Sequence, residues 1–163
     1  MSGGIEIKKK LRIFAATSAA VVILDRITKY AVTARLRPNE VVEEIPGFFN
    51  IVLYRNPGAA FSIFNAGGAL RTLFLIAVSV AALVIIAVLI AQSKDALMTF
   101  ALSMIAGGAA GNLIDRVRYG SVVDFLDFYA AGYHWPAFNV ADSAITAGVV
   151  LAIFSYYFRH PEG

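Results

Sequence analysis

Twenty consecutive positions without a charge, Thr72 to Ala91, restrict this chain more than any other feature. A helix of that length spans roughly 30 Å, the thickness of a bilayer's hydrocarbon core. The composition agrees: 59% of the 163 residues are hydrophobic and 15% are charged, against about 25% charged in soluble domains. Mean hydropathy is +0.71. Three more apolar runs accompany the first, so the spans are expected at roughly 12–34, 70–91, 96–117 and 139–158. They leave no room for a separate soluble domain, and 1–163 reads as one membrane-embedded unit. The expected fold class is mainly α and integral to the membrane, with four transmembrane helices.

The first run follows a polar lead whose Lys8, Lys9, Lys10 and Arg12 form the one dense basic cluster. A basic stretch before an apolar one also describes a secretory signal peptide. Here apolar character resumes after Asp25 and three spans follow, so an uncleaved helix is expected. Its basic end belongs in the cytoplasm by the positive-inside rule. Four spans then return the C-terminus to the cytoplasm and put segments 35–69 and 118–138 outside. Counting Lys and Arg by side does not fix this orientation, because Arg35, Arg37, Arg55, Arg71 and Arg118 become external. The cluster at 8–12 is the deciding weight.

The outer segments carry their own signals. Val41–Ile45 and Phe48–Tyr54 are rich in β-branched and aromatic residues around Pro46-Gly47, which reads as a small hairpin at the membrane surface. Asn56-Pro57-Gly58 ends it, and Ala59 to Phe64 is expected to form one amphipathic turn. Ser121–Phe128 reads as a strand, in which Asp124 and Asp127 point to opposite faces. One of them can face a shared site, and the other is expected to meet water.

Polar residues crowd the outer end of the bundle. Asp25 and Lys29 lie four apart, so they pair on one helical face, either as an anchor or as part of a site. Asn112, Asp115 and Arg116 share a face at the end of the third span, where an Asp115–Arg116 ion pair is the simpler reading and a catalytic role the other. Gly107, Gly108 and Gly111 in that span permit close helix approach. Asn139 and Asp142 resemble a capping box at the start of the fourth helix, and capping alone would account for both.

The chemistry these residues permit is narrow. Neither His134 nor His160 has a nucleophile motif beside it. No H-E-x-x-H or other zinc-ligand spacing is present, and no glycine-rich phosphate loop. The chain has no cysteine, hence no thiolate and no disulfide. Its basic residues form no nucleic-acid stripe. Carboxylates, asparagines and arginines remain. Two aspartates held close share a proton and separate in pKa, so one can activate water while the other protonates a leaving group. No metal or cofactor is needed. A proton-coupled transporter also uses intramembrane acids, but near the midplane and on repeats. A lipid-headgroup transferase is a third reading, lacking a phosphate-binding or metal-binding motif.

Four stretches taken together resemble the lipoprotein signal peptidases (type II signal peptidases) of bacteria. They are Asn56-Pro57-Gly58-Ala59-Ala60-Phe61, Gly107 to Arg116 (GGAAGNLIDR), Val122-Val123-Asp124-Phe125 and Phe138-Asn139-Val140-Ala141-Asp142-Ser143. Asp25-x-x-x-Lys29 is similar to the family's first motif. The resemblance implies a four-helix membrane aspartic endopeptidase of the cytoplasmic membrane with a small β-rich extracytoplasmic cradle. It implies removal of the signal peptide from diacylglyceryl-modified prolipoproteins just before the lipidated cysteine, and sensitivity to globomycin. Asp124 and Asp142 then take the catalytic places. Asn56, Asn112, Arg116 and Asn139 surround them, and Asp25, Lys29 and Asp115 support. The expected partners are lipid-modified prolipoproteins and membrane lipids, with no nucleic acid, and the protein is expected to be a monomer. Two departures stand out: Arg26 where the family often has glutamine, and Pro57 after Asn56.

Overall fold

The structure, a computed structural model, describes residues 2–58 and 68–159. The expected turn at Ala59–Phe64, the second half of the Asn56–Phe61 motif and His160 lie outside them. Four helices and four strands follow in the order α1 (Ser2–Arg35), β1 (Val41–Ile45), β2 (Phe49–Asn56), α2 (Gly68–Gln92), α3 (Ala96–Tyr119), β3 (Val122–Ala130), β4 (Tyr133–His134) and α4 (Val140–Arg159). The strands form one antiparallel sheet in the order β1-β2-β3-β4. The hairpin falls where its turn residues put it, with Gly47 at φ 77 in the left-handed region that glycine enters without strain.

The first helix departs from expectation. It begins at Ser2 and not near residue 12, running through the basic cluster. Lys, Leu, Arg, Ile and Glu all tolerate a helix well, so the polarity of this stretch did not stop it from coiling.

Helix α3 is the pivot, packed against α1, α2 and α4. Its contact with α4 is close because glycines meet backbone on both sides. A Cβ on Gly108 would lie 2.3 Å from the Ala141 carbonyl oxygen, and one on Gly148 would lie 2.7 Å from that of Ala101. At its start Asp95 caps the helix by accepting from Leu97 N–H at 3.1 Å, and the same side chain takes a hydrogen bond from the Ser155 hydroxyl of α4. At its end Gly120, at φ 68, donates its N–H to the Arg116 carbonyl.

Apolar surface is turned outward. Helix α2 buries Leu75, Ile86 and Ile90, while Leu73, Phe74, Val84, Ile85 and Val88 are exposed. Such a continuous exposed face is costly in water and natural in lipid. Three helices are long and apolar enough to cross a membrane: Gly68–Gln92, Ala96–Tyr119 and Val140–Phe158. Helix α1 is not among them, because Asp25, Arg26 and Lys29 interrupt its apolar run.

Candidate active site

The end of the bundle beneath the sheet gathers the polar residues that the sequence singled out. Helix α4 starts there, and its first turn builds the centre. Asn139 caps the helix by accepting from Asp142 N–H at 2.9 Å, while Asp142 Oδ2 accepts from Asn139 N–H at 3.3 Å. This is the reciprocal capping box expected. Capping does not exhaust Asn139, however. Its amide nitrogen donates to Asp124 Oδ1 at 2.7 Å, with the Val123 carbonyl at 3.2 Å and Asn112 Oδ1 at 3.3 Å. The residue is fully buried.

Strand β3 brings Asp124, which receives a second hydrogen bond from Asn56 Nδ2 at 2.9 Å. Asn56 in turn accepts from Gly58 N–H at 2.8 Å, an Asx turn. Pro57 sits inside that turn, where the N–H it lacks is not called on. Helix α3 brings Asn112, which donates to Asp142 Oδ1 at 2.7 Å. Asp124 and Asp142 are therefore held from both sides by asparagine amides and interact electrostatically. Burial, then the negative charge of Asp142, pushes the Asp124 carboxyl up to about 6, against the bonds from Asn56 and Asn139.

Arg116 lies within electrostatic reach of Asp142, Asp124 and Asp115. It makes no ion pair with Asp115, which corrects the simpler sequence reading. Asp115 pairs instead with α1, at 2.6 Å to Arg26 and 2.8 Å to Lys29. Arg26 also meets Asp25 at 2.8 Å, and Lys29 meets Asp25 at 3.0 Å. Asp25 and Asp115 are essentially inaccessible, so each buried charge here has a partner of opposite sign. The network then passes to the centre, because Lys29 donates to Asn112 Oδ1 at 3.1 Å and Asp25 accepts from Ala141 N–H at 3.1 Å. The Asp25–Lys29 pair is thus both an anchor and a neighbour of the site.

Two features were not anticipated. Arg26, noted only as a departure, bridges Asp25 and Asp115 alongside Lys29. Asp127 does point away from Asp124, but it does not meet water. It is 3% exposed, accepts from Asn50 Nδ2 at 2.8 Å and pairs with His134 Nδ1 at 2.9 Å. Alternation gives a side chain's face; it does not say which side chains of the neighbouring strands stand beside it there. Among the described residues no cluster of His, Cys, Asp and Glu is arranged to hold a metal ion.

Fold and site together define a multi-pass membrane protein with an asparagine-clamped pair of aspartates, Asp124 buried and Asp142 half-buried, at one end of its helices. The sequence model described as Signal peptidase (SPase) II matches residues 17–158. This chain belongs to the signal peptidase II family, and is a peptidase on that ground. A lipoprotein signal peptidase from Syntrophus aciditrophicus is 44% identical over 159 residues, covering 95% of this chain and 98% of its own. Another, from Ralstonia nicotianae, is 50% identical over 133 residues, covering 81% and 76%. A bacterial membrane enzyme solved by the in meso method at 1.9 Å superposes with a TM-score of 0.80 at 35% identity, over 89% of this chain and 92% of its own.

Proposed function

We propose that this protein is a membrane aspartic endopeptidase that removes the signal peptide from diacylglyceryl-modified prolipoproteins, cutting just before the lipidated cysteine. Asp124 and Asp142 are its catalytic pair. The observation that carries the reading is the double clamp: Asn139 bonds Asp124 while capping Asp142, and Asn112 bonds Asp142. A capping arrangement alone has no use for the bond to a buried acid on another element.

In the mechanism, the ionised member of the pair takes a proton from a water as that water attacks the peptide carbonyl. The protonated member donates to the departing amine, so the pair returns to one shared proton. The asparagine amides keep both carboxyls oriented at no cost during reaction. Arg116, with no ion-pair partner among the described residues, supplies positive charge beside the carbonyl oxygen as it becomes negative. Asp25, Lys29 and Asp115 hold α1, α3 and α4 in register beneath. No cofactor enters these steps.

The proposal extends to placement. Residues 1–163 act as one domain with four spans, α1 crossing with its charged end paired internally. Both termini are cytoplasmic, and the site opens toward the outer face of a bacterial cytoplasmic membrane. The protein works as a monomer, with lipid-modified prolipoproteins and membrane lipids as its partners.

The test is direct. Purified protein in detergent should cleave a lipidated prolipoprotein peptide, unaffected by chelators and blocked by globomycin. Asp124→Asn and Asp142→Asn should each abolish cleavage while the protein stays folded. Turnover that survives either substitution overturns the assignment.

A further inference from the structure

A second cleft, of about 380 Å³, lies between α1, α3 and the sheet. Strand alternation separates it from the aspartates: Asn56 and Asp124 turn to the catalytic side, while their neighbours Arg55 and Val123 line this cleft. Around it stand Arg26, Lys29, Tyr30, Arg55, Arg118 and Tyr119. Asp25 and Asp115 neutralise Arg26 and Lys29. They leave Arg55 and Arg118 unbalanced. The Arg55 guanidinium sits 5.0 Å above the Tyr119 ring, and neither arginine has an ion pair among the described residues. Arg26 also lines the cleft, with its Nε buried behind the wall and without an acceptor among the described residues.

A groove of about 570 Å³ adjoins this cleft and shares Arg26 and Arg118 with it. The rest of its lining is Leu113, Ile114 and Val117, an aliphatic strip on α3. Cationic cleft and aliphatic groove together fit one molecule with an anionic head and a hydrocarbon tail. Tyr30 and Tyr119, 76% and 55% exposed at the same ends of α1 and α3, are the residues that settle at headgroup depth.

We propose that cleft and groove form a binding site for an anionic glycerophospholipid. The headgroup phosphate lies between Arg55 and Arg118, and an acyl chain lies along Leu113, Ile114 and Val117. Basic pockets between membrane helices recognise acidic headgroups by this chemistry. The site is independent of what Asp124 and Asp142 do.

Delipidated protein in detergent is titrated with phosphatidylglycerol or with phosphatidylcholine of the same acyl chains, and retained lipid is counted by native mass spectrometry. Phosphatidylglycerol should be retained several-fold more. Arg55→Gln and Arg118→Gln should each reduce its retention on the order of fivefold and leave phosphatidylcholine unchanged. Glycerol 3-phosphate, which has the anion without the chains, should compete weakly. Equal retention of the two lipids by the unaltered protein overturns the site, whatever the variants do. So does a preference that survives in the double variant. Displacement by glycerol 3-phosphate at equal concentration overturns the lipid and leaves only an anion site.

Discussion

Asn139 does two jobs that chemistry can separate. As an N-cap it satisfies a helix donor, which serine does about as well; as a clamp it needs an amide long enough to reach Asp124. Asn139→Ala should lose both, costing on the order of 2 kcal/mol of stability and about a hundredfold or more in turnover. Asn139→Ser should recover most of the stability and little of the turnover. Melting temperature and turnover measured on the same preparations decide the matter. If serine restores both, Asn139 is only a cap.

Asp124 makes a second prediction at this scale. Its carboxyl is raised from 3.8 to about 6 by burial and by Asp142, so the folded state holds this proton more tightly than the unfolded chain does. Stability from this group is therefore fully present below pH 4 and is lost as pH rises to about 6. The loss is on the order of 3 kcal/mol, about 1.4 kcal/mol for each of two pH units. The stability of the unaltered protein, measured relative to Asp124→Asn, should fall over that interval and level off above it. A difference that stays flat from pH 4 to 7 contradicts the assignment of the titration to Asp124.

At the scale of elements, α3 sets the geometry of the site through the closeness of α4. Gly108 touches the Ala141 carbonyl, one residue before Asp142, whereas Gly148 meets α3 at Ala101, well down the bundle. Alanine at either position overpacks the same interface, at about 1–3 kcal/mol. Gly108→Ala should also move the first turn of α4, so its turnover should fall far more than that of Gly148→Ala at matched stability. Equal activities would mean that the site tolerates the shift. The glycines, the hairpin around Pro46-Gly47, strand β3 and the start of α4 were all legible in the sequence because each rests on local backbone chemistry. The reach of α1 back to Ser2, the burial of Asp127 and the pairing of Asp115 with Arg26 were not. The last two depend on partners far along the chain, Asn50 for Asp127 and α1 for Asp115, and local periodicity carries no record of them; the first helix ran on because its polar lead tolerates a helix, which an apolar count does not register. The likeness of motifs named residues that the structure gathers at one end of the bundle; it gave no warning that Arg26 would pair with Asp25 and Asp115 there.

For the whole molecule the open question of orientation has a physical answer that can be read from outside. Counting charges left it balanced, since Arg55 and Arg118 add positive charge to the proposed outer end. Those two arginines face a common cleft, so they have a local use that a topological count ignores, and the cluster Lys8, Lys9, Lys10 and Arg12 keeps its weight as a cytoplasmic anchor. The absence of native cysteine makes the test clean. Val41→Cys lies on the exposed first strand of the hairpin, and Lys94→Cys lies in the short α2–α3 connection at the other end of the bundle. In intact spheroplasts a membrane-impermeant maleimide should label the first and not the second, and permeabilisation should expose both. The opposite pattern would put the aspartates on the cytoplasmic side, away from any substrate whose signal peptide has already been threaded outward. It would remove the proposed prolipoprotein reaction even if the isolated enzyme still cut peptides.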